Sequence, residues 1–130
     1  MFKIHTIDNS LSRGIEYMPA SAITPKVGLP LYMNAGVLAV ANGTTKPTHI
    51  CLCERGAALT AGDIIPVLRV DGAIVFETTN SASLASVKLG AKVTISADGT
   101  QVTATTEGGV AEIIYKEGDT AGSTVRVRFS

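Results

Sequence analysis

The chain has 130 residues, enough for one domain that buries roughly two-thirds of its unfolded surface without a disulfide or metal staple. Eleven basic residues balance eleven acidic ones, and the two halves differ little, which excludes a basic nucleic-acid footprint and a polybasic membrane patch. Three Phe, three Tyr and no Trp leave little for a base-stacking platform.

The first thirty residues differ from the rest, and GIEYMPASAITPKVGLP at 14–30 mixes Gly, Pro and small side chains without sustained alternation. Residues 1–19 are therefore predicted to be an N-terminal arm or edge segment, and residues 20–130 a single β domain. The opening MFKIHTIDNS has no apolar signal-peptide core, so synthesis in a cytoplasm is expected. The longest apolar stretch, AGVLAVA at 35–41, is too short to span a bilayer. Asn34-Ala35-Gly36, between LPLYM and VLAVA, reads as a hairpin with a longer loop. The sequon-like NGT at 42–44 reads as a turn.

THICLCERG, at 48–56, holds both cysteines and one of the two histidines. On a strand His49, Cys51 and Cys53 share one face, with same-face neighbours about 6.6 Å apart. Zinc needs its donors within about 4 Å of one another, so three side chains along a straight strand do not converge on it. A Cys51–Cys53 disulfide would be strained, and C-x-C is not the C-x-x-C redox motif. The two cysteines are expected to be small buried residues on one side of a central strand, with Ile50 and Leu52 on the other.

IIPVLRV and AIVFETT flank Asp71-Gly72, and AKVTIS and TQVTATT flank Asp98-Gly99. Asp-Gly suits the positive φ of tight turns, so both pairs are expected at hairpin tips. Pro66 inside the first run predicts an edge or a bulge there. Residues 80–90, NSASLASVKLG, carry weak cap and stop signals and predict a short turn rather than a full helix. In AKVTIS, Val93 and Ile95 face inward and Lys92, Thr94 and Ser96 outward; Val102 and Ala104 follow inward. KEGDTAG at 116–122 reads as a wider turn between VAEIIY and TVRVRF. In the last strand Val125, Val127 and Phe129 form the apolar face, and Thr124, Arg126 and Arg128 the polar one. These elements predict an all-β fold: an antiparallel β-barrel or sandwich of short hairpin-linked strands with an extended N-terminal arm.

Reactive chemistry is sparse. Turn geometry explains Asp71 and Asp98 better than a catalytic carboxylate pair does. Glu112 belongs on an outward strand face, and Glu117 and Asp119 in a loop, without EF-hand spacing. No Walker A loop, dinucleotide motif or G-x-S-x-G elbow is present. The Gly-Asp turn in GAALTAGDIIPV also occurs in biotinyl and lipoyl carrier domains, but no lysine stands at a hairpin tip. The sequence thus predicts no enzyme, no catalytic, cofactor-binding or metal residue, no cofactor, and no nucleic-acid or membrane partner.

One resemblance is available. AGDIIPVLRVDGAIVFETT, LGAKVTISADGTQVTATTEGGVAEIIY and GSTVRVRF together resemble the small β proteins of tailed phages and prophages that decorate or stabilise the capsid. The shared pattern is an apolar strand running through an acidic turn to E-T, a Gly-Lys-Val-Thr-like run, an Asp-Gly hairpin and a terminal V-x-V-x-F strand. It covers residues 17–129. The resemblance implies a virion structural protein on the capsid surface, with the major capsid protein as partner and a homo-oligomeric, trimeric state. It carries no functional residue over, and it suggests that residues 1–19 order on the shell or on a neighbouring subunit. A tail or fibre-base virion module is the alternative within the same class. A small β-barrel ligand-binding domain or enzyme is the alternative outside it.

Overall fold

The computed structural model describes residues 1–7 and 14–129. Among the described residues ten strands run in chain order: β1 (Lys3–Ile7), β2 (Glu16–Pro19), β3 (Pro30–Asn34), β4 (Val37–Val40), β5 (His49–Cys51), β6 (Ile64–Arg69), β7 (Ile74–Thr79), β8 (Lys92–Val93), β9 (Ala111–Lys116) and β10 (Thr124–Phe129). They make two five-stranded antiparallel sheets. Sheet A has the order β1-β7-β10-β9-β8 and sheet B the order β2-β6-β5-β3-β4. No helix occurs among the described residues. The fold is a sandwich-like all-β arrangement and not a closed barrel, although sheet B curls until its edge strands meet at one bridge, Ala20–Leu38.

The alternation in β10 explains sheet A. Val125, Val127 and Phe129 are fully buried, while Thr124, Arg126 and Arg128 on the opposite face stay partly exposed. Phe129 packs on Phe2 and Phe76 with ring centroids 5.1 and 5.3 Å away, so all three phenylalanines form one cluster. Ile50 and Leu68 of sheet B join this core and fasten the two sheets together. A second core lies in the concave side of sheet B, around Leu31, Leu38, Cys51, Ile65 and Val67.

The N-terminal segment contributes one edge strand to each sheet: β1 pairs with β7 and β2 with β6. Every residue of β1 is exposed, but Phe2 just before it is 1% exposed and lies in the core. Gly28 makes this possible. It sits at φ 90°, and a Cβ there would lie 2.2 Å from the Phe2 carbonyl oxygen, so only glycine lets the two backbones meet. The middle of the expected arm, residues 8–13, lies outside the described residues.

Four local expectations need correction. Asp71-Gly72 is not a hairpin tip: β6 belongs to sheet B and β7 to sheet A, so the pair turns the corner between sheets. The Asp71 side chain accepts from the Ala73 N–H at 2.9 Å, the same local turn chemistry a hairpin would use. The Asn34–Val37 hairpin is tighter than expected. Its two central residues, Ala35 (φ 51°) and Gly36 (φ 86°), both have positive φ, as a two-residue type I′ turn requires. Pro66 lies in an interior strand without a bulge. Its carbonyl accepts from Leu52 N–H just past the end of β5, so the one ladder bond its missing N–H forfeits, to the Leu52 carbonyl, falls where that strand is already ending. Thr94 is buried rather than outward, because its hydroxyl bonds that of Thr103 at 2.6 Å across the folded-over hairpin.

The Asp98-Gly99 tip does turn a hairpin. Ser96 N–H donates to the Gln101 carbonyl, and Asp98 accepts from the Ser96 hydroxyl and from both donors of Thr100. Residues 80–90 form tight turns held from outside. The Lys116 ammonium donates to the carbonyls of Leu84 (3.1 Å) and Val87 (2.8 Å) and pairs with Asp119 at 2.8 Å.

Candidate interaction surface

The cysteine stretch resolves as core. β5 is the middle strand of sheet B. Cys51 is fully buried and Cys53 packs at the margin of the same cluster, while Ile50 and Leu52 face the other core. The two sulfurs stand 3.9 Å apart as free thiols. Burial pushes the Cys51 thiol up to about 11, so it is protonated and unreactive at neutral pH. His49 is also buried. Its Nδ1 lies 2.9 Å from the Thr48 hydroxyl, and its Nε2 is 3.8 Å from Oε2 of Glu16, whose Oε1 accepts from Arg69 at 3.1 Å. Burial, with the Arg69 charge adding and Glu16 opposing, lowers the His49 pKa and keeps the ring neutral. This group ties the edge strand β2 to β5 and β6. Among the described residues no three of His, Cys, Asp and Glu come together as metal ligands would.

The two sheets present contrasting outer faces. On sheet A the strand register lines up Lys3, Glu77, Arg126 and Tyr115 in one cross-strand row, and Arg128, Glu112 and Lys92 in a second. Charge alternates along both rows, as directly opposed residues prefer. Arg126 bonds Glu77 at 3.2 Å and lays its guanidinium 4.5 Å from the centre of the Tyr115 ring. This face is polar, and its central Glu77, Arg126 and Tyr115 are engaged with one another.

The convex face of sheet B is the opposite in character. Tyr17 lies across from Pro66, and Pro19 from Ile64. Ile50 lies across from Leu68, and Leu52 reaches the Pro66 carbonyl. These residues, with Ile15 two positions before Tyr17, are all uncharged. Sheet A covers Ile50 and Leu68 but leaves Ile15, Tyr17 and Ile64 exposed by 57%, 69% and 55%. Where this face meets β1, a groove of about 410 Å³ opens between Met1, Phe2, Ile4, Val27, Ile50 and Leu52, with Lys3 at its wall as the one charged residue and an otherwise largely apolar lining. Such a continuous apolar area on a small domain marks an interaction surface rather than ordinary scattered exposure.

Sequence patterning alone did not single out this face. The available signal was that IIPVLRV is apolar at consecutive positions, so β6 has two apolar faces and both need covering. A comparison of the chain with models of known protein families finds no match, and a search of curated proteins finds none either.

Proposed function

We propose that this chain is a non-enzymatic structural protein that binds and stabilises the capsid surface of a tailed phage or prophage, with the major capsid protein as its partner. The observation that carries this reading is that the domain leaves open both an apolar area and the edge strands β1 and β2 of the N-terminal segment, for contacts with other proteins and with copies of itself. A domain whose polar groups are mostly paired internally, and which leaves apolar area and strand edges open, is suited to assembly contacts. The patterned resemblance over residues 17–129 supports the same reading. Its mechanical role would be to add protein contacts across capsid subunit junctions, as a homo-oligomer, on virions assembled in the bacterial host cytoplasm.

Sedimentation tests the proposal. The purified chain is mixed with heads of the cognate phage or prophage. Saturable co-sedimentation, at a fixed ratio to the capsid subunit, is the expected result. A chain that stays in the supernatant at micromolar concentration overturns it.

A further inference from the structure

We infer that the uncovered convex face of sheet B, centred on Tyr17, Ile64 and Pro66, is a self-association surface that docks onto a second copy of this chain. The inference goes beyond capsid binding and deepens the proposed reading by naming which face joins the copies.

Three observations carry it. The first is extent. Ile15, Tyr17 and Ile64 are 57%, 69% and 55% exposed, and Pro19, Leu52 and Pro66 beside them are half-buried. Together they open on the order of 500 Å² of apolar surface, near the top of the range for one patch on a monomer. One side of a standard interface covers roughly 800 Å². The adjoining groove, with Val27 at 55% and Ile4 at 43% exposure, extends the apolar area toward that size.

The second observation is chemistry. The face has no charged residue among Ile15, Tyr17, Pro19, Leu52, Ile64 and Pro66, and its one side-chain polar group is the Tyr17 hydroxyl. It offers nothing to select a charged or strongly polar partner. Interfaces between identical subunits are the more apolar kind, with charged residues depleted at their centre. Pairing between copies brings the same patch of both chains together, and a patch without charge meets no like-charge repulsion there.

The third is shape and stiffness. Tyr17, Pro19, Ile64 and Pro66 sit on paired strands in fixed register rather than on loops. Two prolines and a tyrosine lose little side-chain freedom on docking. The Glu16–Arg69 pair, at 3.1 Å on the concave side of the same strands, holds β2 against β6. The surface is therefore formed before the partner arrives.

The test is light scattering on the wild-type chain across a hundredfold concentration range, beside Tyr17→Glu/Ile64→Glu and a control, Leu89→Glu. Leu89 is 61% exposed in the 80–90 loop, away from this face, and receives the same new charge. Far-UV circular dichroism checks that each variant keeps its β structure. Wild type and L89E are expected to be the same discrete oligomer, and the double variant a monomer, with dissociation raised at least a hundredfold. Should the double variant lose its fold, hydrogen exchange on the wild-type chain decides the matter, with protection of residues 15–19 and 64–67 rising with concentration. A wild-type monomer throughout, an oligomer that the double substitution leaves intact, or concentration-independent exchange on these strands overturns the inference. Binding to heads is scored separately. An oligomer that ignores heads removes the capsid reading and leaves this one standing, whereas a monomer that binds heads does the reverse.

Discussion

Replacing Phe2 by alanine tests how the N-terminal segment is held. Phe2 is 1% exposed, packs edge-on to Phe76 with centroids 6.5 Å apart and lies 5.1 Å from Phe129. Its backbone crosses Gly28 at a distance only glycine allows. Truncating a buried phenylalanine costs about 3–5 kcal/mol, part of it from the cavity left behind. The aromatic contacts place this site in the middle of that range, about 4 kcal/mol. For a domain of this length, that lowers the melting temperature by about 15 °C. Urea denaturation followed by circular dichroism gives the free energy directly, with an unchanged slope showing that the same surface is exposed on unfolding. Phe2→Leu, which keeps most of the volume, should recover more than half of the loss. A loss below about 1 kcal/mol for F2A would refute the reasoning. Phe2 would then lie outside the core in solution, and residues 1–7 would behave as the free arm that their poor periodicity suggests.

Further outcomes follow from single groups. Lys116→Met leaves the carbonyls of Leu84 and Val87 without their charged donor and should cost about 2 kcal/mol, with faster hydrogen exchange confined to residues 84–90. His49 has a folded pKa below its ordinary value, so its contribution is full above about pH 6.5 and is lost as pH falls through the folded value. His49→Gln should flatten the stability–pH curve in that window. Hydrogen bonds from Ser96 and Thr100 hold the Asp98 carboxyl below the usual range. Its contribution is present above about pH 3.9 and disappears as pH falls further, a slope that Asp98→Asn should lack in acid titrations. Cys51 should resist iodoacetamide at pH 8 in the folded chain and react once urea unfolds it, read by mass spectrometry. Rapid native labelling of Cys51 would contradict its place in the core.

How much could be read from the sequence depended on the range of the interaction. Period-two patterns are local, so the inward set was legible: Val93, Ile95, Val102, Val125, Val127 and Phe129 are buried, and Ala104 is half-buried against the same core. The Cys51 environment was legible for the same reason, because a small apolar residue on the inward face of a central strand has one reasonable place to go. Asp71-Gly72 was misread because an Asx turn looks alike in a hairpin and at a corner. What distinguishes them is that β7 pairs with β10 and β1, about fifty and seventy residues away. Thr94 was misread because its burial depends on a partner hydroxyl across the fold. The convex face of sheet B was hidden for a related reason. Ile64, Pro66 and Leu68 are a uniform apolar row in sequence, yet sheet A covers only Leu68. Where one sheet stops covering another is a property of the packing, and no window of the chain encodes it alone.

The capsid reading is tested most directly by cryo-electron microscopy of cognate heads incubated with the purified chain and washed. The account predicts density for the two-sheet domain at symmetry-related positions on the shell, over junctions between capsid subunits. Bare shells, with the chain recovered intact and folded in the wash, would contradict it.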